Sequence, residues 1–207
     1  MRVDFPGTAP ANAPARAPVH APDEIDAITA AWPATRHLAA YWQALSRAHP
    51  HGPPVPPRHA IDPVALSPIL GQSGLLDRDR DGTVRFRLVG AALRRRMHLP
   101  LPGLPLRTIF HPVARAGLEA LFAEVFDAPA QLRMTVGDGG AAGQVAILPL
   151  SDRNGAISRA VFVISLGDAP DIGPARLRPI RVHLARVAAP PAPVPRRRFR
   201  VIDGGRA

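Results

Sequence analysis

The sequence contains no cysteine and no lysine, and it is poor in aromatic side chains. All 26 basic residues are arginines, and Phe, Trp and Tyr together make up 5% of the chain. Without cysteine the protein has no disulfide, thiolate nucleophile, iron–sulfur cluster or cysteine-ligated zinc. Without lysine it has neither Schiff-base catalysis nor the lysine of a Walker-type phosphate loop. The scarcity of aromatic residues argues against sequence-specific reading of nucleic acid, because that reading uses aromatic stacking platforms.

The chain also lacks an apolar run long enough to cross a bilayer, since the longest clear one spans residues 161–164. Its N-terminal residues show no apolar stretch followed by a cleavage site. We therefore expect a cytoplasmic protein. The 207 residues, 46% of them hydrophobic, suffice for one domain with flanking segments.

Proline is abundant, at 26 residues, and its distribution predicts the domain boundaries. Residues 1–22 repeat proline every four positions, which is typical of an extended leader. Residues 23–57 contain helical patterns followed by a proline-rich strap, and residues 58–168 form the predicted folded domain. Residues 169–207 are expected to be a basic Pro/Arg-rich tail, because residues 171–207 alone carry nine arginines and two acids.

Two short turn motifs predict β-hairpins. Asp81-Gly82 has the pattern of a two-residue hairpin turn, and Asn154-Gly155 is a second strong turn signal. After the first turn, Val84, Phe86 and Leu88 alternate with arginines. This alternation predicts a strand with all three apolar side chains on one face.

Helical patterns separate the second predicted strand from the third. Residues 91–97 fit a short helix, and a longer helix follows His111-Pro112 and ends before Pro129. The apolar face of the longer helix consists of Leu118, Leu121, Phe122, Val125 and Phe126. The whole pattern predicts an α+β fold: a five-stranded antiparallel sheet with a helical insert between strands 2 and 3, and an N-terminal helix.

The last two predicted strands are apolar on both faces, so both faces of the sheet need a cover. The helical insert can cover one face. A helix over residues 35–48, from this chain or from a partner chain, can cover the other. We expect a homodimer through this helix because large aromatic residues are typical interface anchors, and packing within one chain is the alternative. The candidate interface residues are Leu38, Tyr41, Trp42 and Leu45.

Four short segments together resemble a known family. They are Pro57-Arg58 with Ile61-Asp62-Pro63, Leu66 and Ile69-Leu70; residues 86–90, which end in Gly90; Gly103 with Leu106 and Ile109-Phe110; and Leu148-Pro149-Leu150. In this order and spacing the chain resembles the single-domain PAS family common in alphaproteobacteria, formerly described as a domain of unknown function. The resemblance spans about residues 35–168 and implies a PAS-like fold.

The resemblance also implies a sensory or protein-interaction module without its own catalytic machinery. The family usually has a threonine soon after the glycine of the second strand, where this chain has Ala91-Ala92. This difference argues against a polar ligand contact there. Haem-binding PAS domains present an axial histidine from the long helix, whereas His111 precedes that helix beside Pro112. We therefore expect no cofactor.

No set of residues converges on a reaction, so we expect that the protein is not an enzyme. His49, His51 and His59 lie in and beside the proline-rich strap without the neighbouring acids that would complete a metal site. The glycine-rich segment 137–143 joins two strands, and no helix N-terminus follows it to hold a phosphate. It is predicted to be a hairpin loop.

Our leading hypothesis is a non-catalytic sensory or signalling module that binds a small apolar ligand or a protein partner. A ligand pocket would lie between the insert and the sheet, and simple core packing of the same residues is the alternative. The candidate residues are Phe110, Phe122, Phe126, Met134, Ile147 and Phe162. A different hypothesis is an accessory protein tethered to nucleic acid or an anionic membrane by the tail residues Arg196, Arg197, Arg198 and Arg200.

Overall fold

A computed structural model describes residues 32–49, 55–137, 142–167 and 176–187. The helices are α1 (Pro33–Ala48), α2 (Ala91–Met97) and α3 (Arg115–Asp127). The strands are β1 (Ser73–Arg78), β2 (Val84–Val89), β3 (Ala130–Gly137), β4 (Ala142–Leu150), β5 (Arg159–Leu166) and β6 (Arg178–Arg186). A 3-10 segment, Ser67–Gln72, leads directly into β1. None of the helices in these ranges is long and apolar enough to span a bilayer.

The six strands form one antiparallel sheet in the order β2-β1-β5-β4-β3-β6. The α+β class, the antiparallel sheet and the helical insert between β2 and β3 are confirmed. The sheet has one strand more than the five expected, because β6 lies within the residues assigned to the basic tail. Its side chains Pro179, Val182 and Leu184 are buried, and it pairs with β3 along the whole length of that strand.

Both hairpin turns have a three-residue loop, not the two-residue loop expected at Asp81-Gly82. The N–H of Asp79 donates to the carbonyl of Thr83 at 2.9 Å, and the N–H of Gly82 donates back to Asp79. Asp152, Gly155 and Ala156 repeat this pattern in the β4–β5 turn. In each loop the third residue is the glycine, with φ of +84° and +82°, which is the left-handed position that this loop type requires.

A second difference concerns Leu88, which was expected to share the buried face of Val84 and Phe86. The pairing of β2 with β1 shifts by one residue, so that Leu75 faces Leu88 while Leu76 faces Phe86. Arg87 is the extra residue of this bulge. Because a one-residue shift moves every following side chain to the opposite face, Leu88 points to the outer face and is 55% exposed.

The inner face of the sheet packs against the helical insert. All five apolar residues predicted for α3 are buried in this contact, and β2 to β5 contribute side chains such as Phe86, Met134, Ile147 and Phe162. This is the larger of two buried apolar clusters. It fixes the insert on the sheet through apolar contacts.

The outer face is covered by α1 of the same chain. Leu38 and Trp42 are buried against Ala146, Leu148 and Val161, while Tyr41 and Leu45 are half-buried. The stripe predicted as a dimer interface is therefore used within one chain, because Leu38 and Trp42 already cover the apolar side chains that β4 and β5 present on this face. That the protein forms a homodimer stays a prediction, and the stripe on α1 is no longer available as its interface.

Candidate functional site

The six residues predicted to line a ligand pocket lie in one cluster. None of them is more than 5% exposed, and they join residues before and within α3 to β3, β4 and β5. The rings of Phe110 and Phe122 are 5.9 Å apart, and Phe162 meets Phe86 edge-to-face at 5.4 Å. Side chains at these distances fill the space between the insert and the sheet.

A cleft of about 320 Å³ reaches one member of this cluster, Phe122, from the end of the sheet that carries the β1–β2 turn. Two ion pairs flank it. Arg78 donates to both carboxylate oxygens of Asp127, with its Nη2 at 3.1 Å from Oδ2, and Arg107 pairs with Glu119. The hydrogen bond from Arg78 lowers the pKa of Asp127 below its usual value. The cleft is thus polar at its mouth, with an aromatic ring inside.

His111, the residue weighed as a haem ligand, lies at the start of a 3-10 turn, Pro112–Ala114, that precedes α3. Its backbone N–H donates to the carbonyl of Leu177 at 2.9 Å, and its side chain makes no capping hydrogen bond. The Nδ1 atom is buried without a hydrogen-bond partner. The backbone of His111 therefore ties the insert to the segment that leads into β6, and the absence of a cofactor stays a prediction.

The helix α1 is held on the sheet by polar contacts as well as apolar ones. Trp42 Nε1 donates to the carbonyl of Pro149 at 2.8 Å. The Tyr41 hydroxyl accepts the N–H of Asp62 at 2.7 Å and donates to Ala60 at 3.3 Å. Each bond gives a buried or half-buried polar group its partner, so these residues act as positioning residues for the helix.

An exposed apolar surface lies at the opposite end of β1, beside the edge strand β2. It consists of Leu70, 43% exposed, Leu88, 55% exposed, and half-buried Leu75 between the sheet and α1; we call it the edge patch. The backbone holds it tightly together, because a Cβ at Gly90 would lie 2.1 Å from the carbonyl oxygen of Leu70. Only glycine allows this close approach.

Exposed arginines lie beside the edge patch, on β2 and on the helix α2, which contacts the 3-10 segment that carries Leu70. Arg87, the bulged residue, is 67% exposed and lies 3.8 Å from its nearest carboxylate, that of Asp77. Arg94 and Arg95 are exposed on α2, which begins directly after Gly90. The patch therefore combines exposed leucines with a positively charged border. The other basic cluster, Arg196, Arg197, Arg198 and Arg200, lies outside the described residues.

The sequence did not identify Leu70 and Leu88 as surface residues. Plain alternation along β2 places Leu88 in the core, and only the bulge in its pairing with β1 reverses that orientation. The Arg94-Arg95-Arg96 run is visible in the sequence as a basic cluster, but the sequence does not show which apolar side chains lie beside it. Within the described ranges, no three His, Asp or Glu side chains are close enough to hold a metal ion.

Comparison with protein-family models gives one match: residues 30–164 match the model described as a PAS domain. The matched residues include α1, the 3-10 segment before β1, the insert and strands β1 to β5 up to Ile164. The strand β6 lies outside the matched residues. No curated protein matches the chain at a significant level.

Proposed function

This chain belongs to the PAS domain family, a family of sensory and signalling modules, and we propose that it is a non-catalytic cytoplasmic module that works by docking onto a protein partner. The edge patch carries this proposal. Apolar surface patches that are bordered by polar residues often mark interaction sites. Leu70 and Leu88 are exposed beside arginines, and the backbone of Gly90 lies so close to that of Leu70 that no other residue fits there.

The packing of the core supports a partner over a small apolar ligand. A ligand between the insert and the sheet would have to displace rings that already contact each other, such as Phe110 and Phe122. Opening that space costs packing energy that the ligand must replace. A protein partner at the edge patch requires no such opening.

The border of the edge patch indicates the chemistry of the partner. Arg87, Arg94 and Arg95 present exposed positive charge on the elements that carry or adjoin the leucines. A matching partner surface has apolar side chains flanked by carboxylates, since opposite charges at the rim guide association and apolar contacts at the centre supply affinity. We therefore propose an acidic, amphipathic segment of a signalling protein as the partner.

Site-specific photocrosslinking tests the proposal. A photoreactive amino acid replaces Leu88 in the full chain, and a second version carries it at Val113, which is 76% exposed in the 3-10 turn before α3 and outside the edge patch. In cells of the source organism, we expect one discrete covalent adduct from position 88 and none from position 113. Adding Leu70→Asp to the first version should abolish the adduct.

Two results would contradict the proposal. Equal adducts from both positions would mean that any exposed site captures neighbours. An adduct from position 88 that persists with Leu70→Asp would mean that the edge patch is not the binding surface. Circular dichroism of the purified variants confirms that each chain is folded before the comparison is made.

A further inference from the structure

A second cleft, of about 320 Å³, lies at the end of the sheet that carries the two tight turns. Its wall is formed by the β4–β5 turn, by residues 58–59 and by the first residue of β5. Backbone hydrogen bonds fix these parts: Arg58 N–H donates to the Ser151 carbonyl at 2.8 Å, and Ser151 N–H donates to Pro56 at 3.0 Å. We call this the turn cleft.

Three arginines line the turn cleft: Arg58, Arg153 and Arg159. Arg58 and Arg153 are exposed, and in the ranges that the structure describes neither guanidinium has an ion-pair partner. Arg159 lies 3.1 Å from Asp77, but Asp77 is also approached by Arg87 at 3.8 Å. One carboxylate thus faces two arginines, and the charge of Arg159 is only partly balanced.

The lining also contains one acidic residue, Asp152, whose negative charge balances only part of the positive charge of the three arginines. Asp152 Oδ1 accepts the backbone N–H groups of Asn154 at 2.8 Å and Ala156 at 3.0 Å. The carboxylate is therefore engaged in holding the turn.

We propose that the turn cleft binds the phosphate group of a small phosphorylated molecule. Guanidinium groups bind phosphate oxygens through paired N–H donors, and a site with several arginines suits a doubly charged group. The cleft volume lies at the lower end of the range for small-molecule sites, so it holds a phosphate with a small attached group. This site is separate from the edge patch and does not depend on the docking proposal.

An NMR titration of the ¹⁵N-labelled full chain with phenyl phosphate, at constant ionic strength, tests the site. We expect saturable shifts confined to the amides of residues 58–59 and 151–155. The double variant Arg58→Gln/Arg153→Gln should raise the Kd about tenfold or more, because each lost charge-assisted hydrogen bond weakens binding strongly. Both residues are exposed, so the variant should keep the wild-type spectrum elsewhere.

The matched control is Arg47→Gln/Arg80→Gln, which removes the same charge at exposed positions outside the cleft. It should change the Kd by no more than about twofold, because isolated surface charges contribute little. An equal loss of affinity in the control would overturn the proposal, since binding would then follow net charge. Shifts without saturation would also overturn it. If inorganic phosphate binds as tightly as phenyl phosphate, the cleft is a site for the free ion and the proposed ligand class is wrong.

Discussion

At the scale of single residues, Trp42 links the N-terminal helix to the sheet in two ways. Its ring is buried in the apolar cluster of the outer face, and its Nε1 donates to the carbonyl of Pro149. Pro149 is itself buried in β4. This carbonyl needs a donor, because a buried acceptor without a partner costs free energy. Trp42 therefore helps to position α1 and also supplies the hydrogen-bond donor that the Pro149 carbonyl of β4 needs.

Replacing Trp42 by Phe should lower the free energy of unfolding by about 1–3 kcal/mol, the cost of leaving a buried acceptor unpaired. The phenyl ring retains much of the apolar contact. Denaturant unfolding of the two chains measures the difference. The control is Trp32→Phe, at a half-buried position next to the helix, which should change stability far less. Equal losses for both variants would mean that the hydrogen bond to Pro149 contributes nothing.

The ion pair of Arg78 with Asp127 should make a pH-dependent contribution to stability. The pKa of Asp127 is lowered in the folded chain, so this contribution is present above the usual aspartate pKa, about 3.9, and is lost as pH falls through the lowered value. A double-mutant cycle of Arg78→Gln and Asp127→Asn should give a coupling energy between pH 5 and 7 that declines as the pH is lowered further and Asp127 becomes protonated. A coupling that stays constant through acid would show that the pair is not responsible.

At the scale of secondary-structure elements, regular patterns were predictable and irregular ones were not. The short helix over residues 91–97 was predicted with its observed bounds, because Gly90 precedes it and prolines from Pro100 onward limit it. The predicted apolar face of α3 was complete, because it follows a strict helical period. The strand β6 was missed since Pro179 and its arginines resemble the tail, and a register shift beside Thr135 interrupts its alternation. The same kind of irregularity hid Leu88 and, with it, the edge patch.

The account of β6 predicts different effects for two truncations of the chain. Removing residues 188–207 should leave the melting temperature nearly unchanged, because β6 is retained. Removing residues 178–207 deletes a strand that buries Pro179, Val182 and Leu184, and should lower the melting temperature by about 10 °C or more. Differential scanning calorimetry measures both. If the two truncations have equal melting temperatures, β6 does not belong to the folded domain.

At the scale of the whole molecule, each face of the sheet is covered within one chain. The insert packs on the inner face, and α1 packs on the outer face through Leu38 and Trp42. An open apolar surface lies instead at the sheet edge, where Leu70 and Leu88 are exposed beside arginines. This arrangement places the proposed partner site beside the sheet and the phosphate site at its turn end.

Covering the outer face within one chain also predicts the effect of Trp42→Glu. The variant should be less stable than the wild type, because a carboxylate at position 42 weakens the contact between α1 and the sheet. The mass measured by light scattering should be the same for the folded wild type and the folded variant. A wild type at twice the chain mass of 22.0 kDa, converted by Trp42→Glu into a folded monomer, would instead support an interface on the α1 stripe.

Hydrogen–deuterium exchange of the full chain, with and without the purified partner identified by crosslinking, tests the central claim most directly. The docking account predicts slower exchange in the partner complex over residues 67–76 and 84–97, which contain the edge patch and its arginine border. It predicts unchanged exchange in α1 and α3. Protection concentrated in α3 and β3 would contradict the account, because the binding event would then be centred on the packed core.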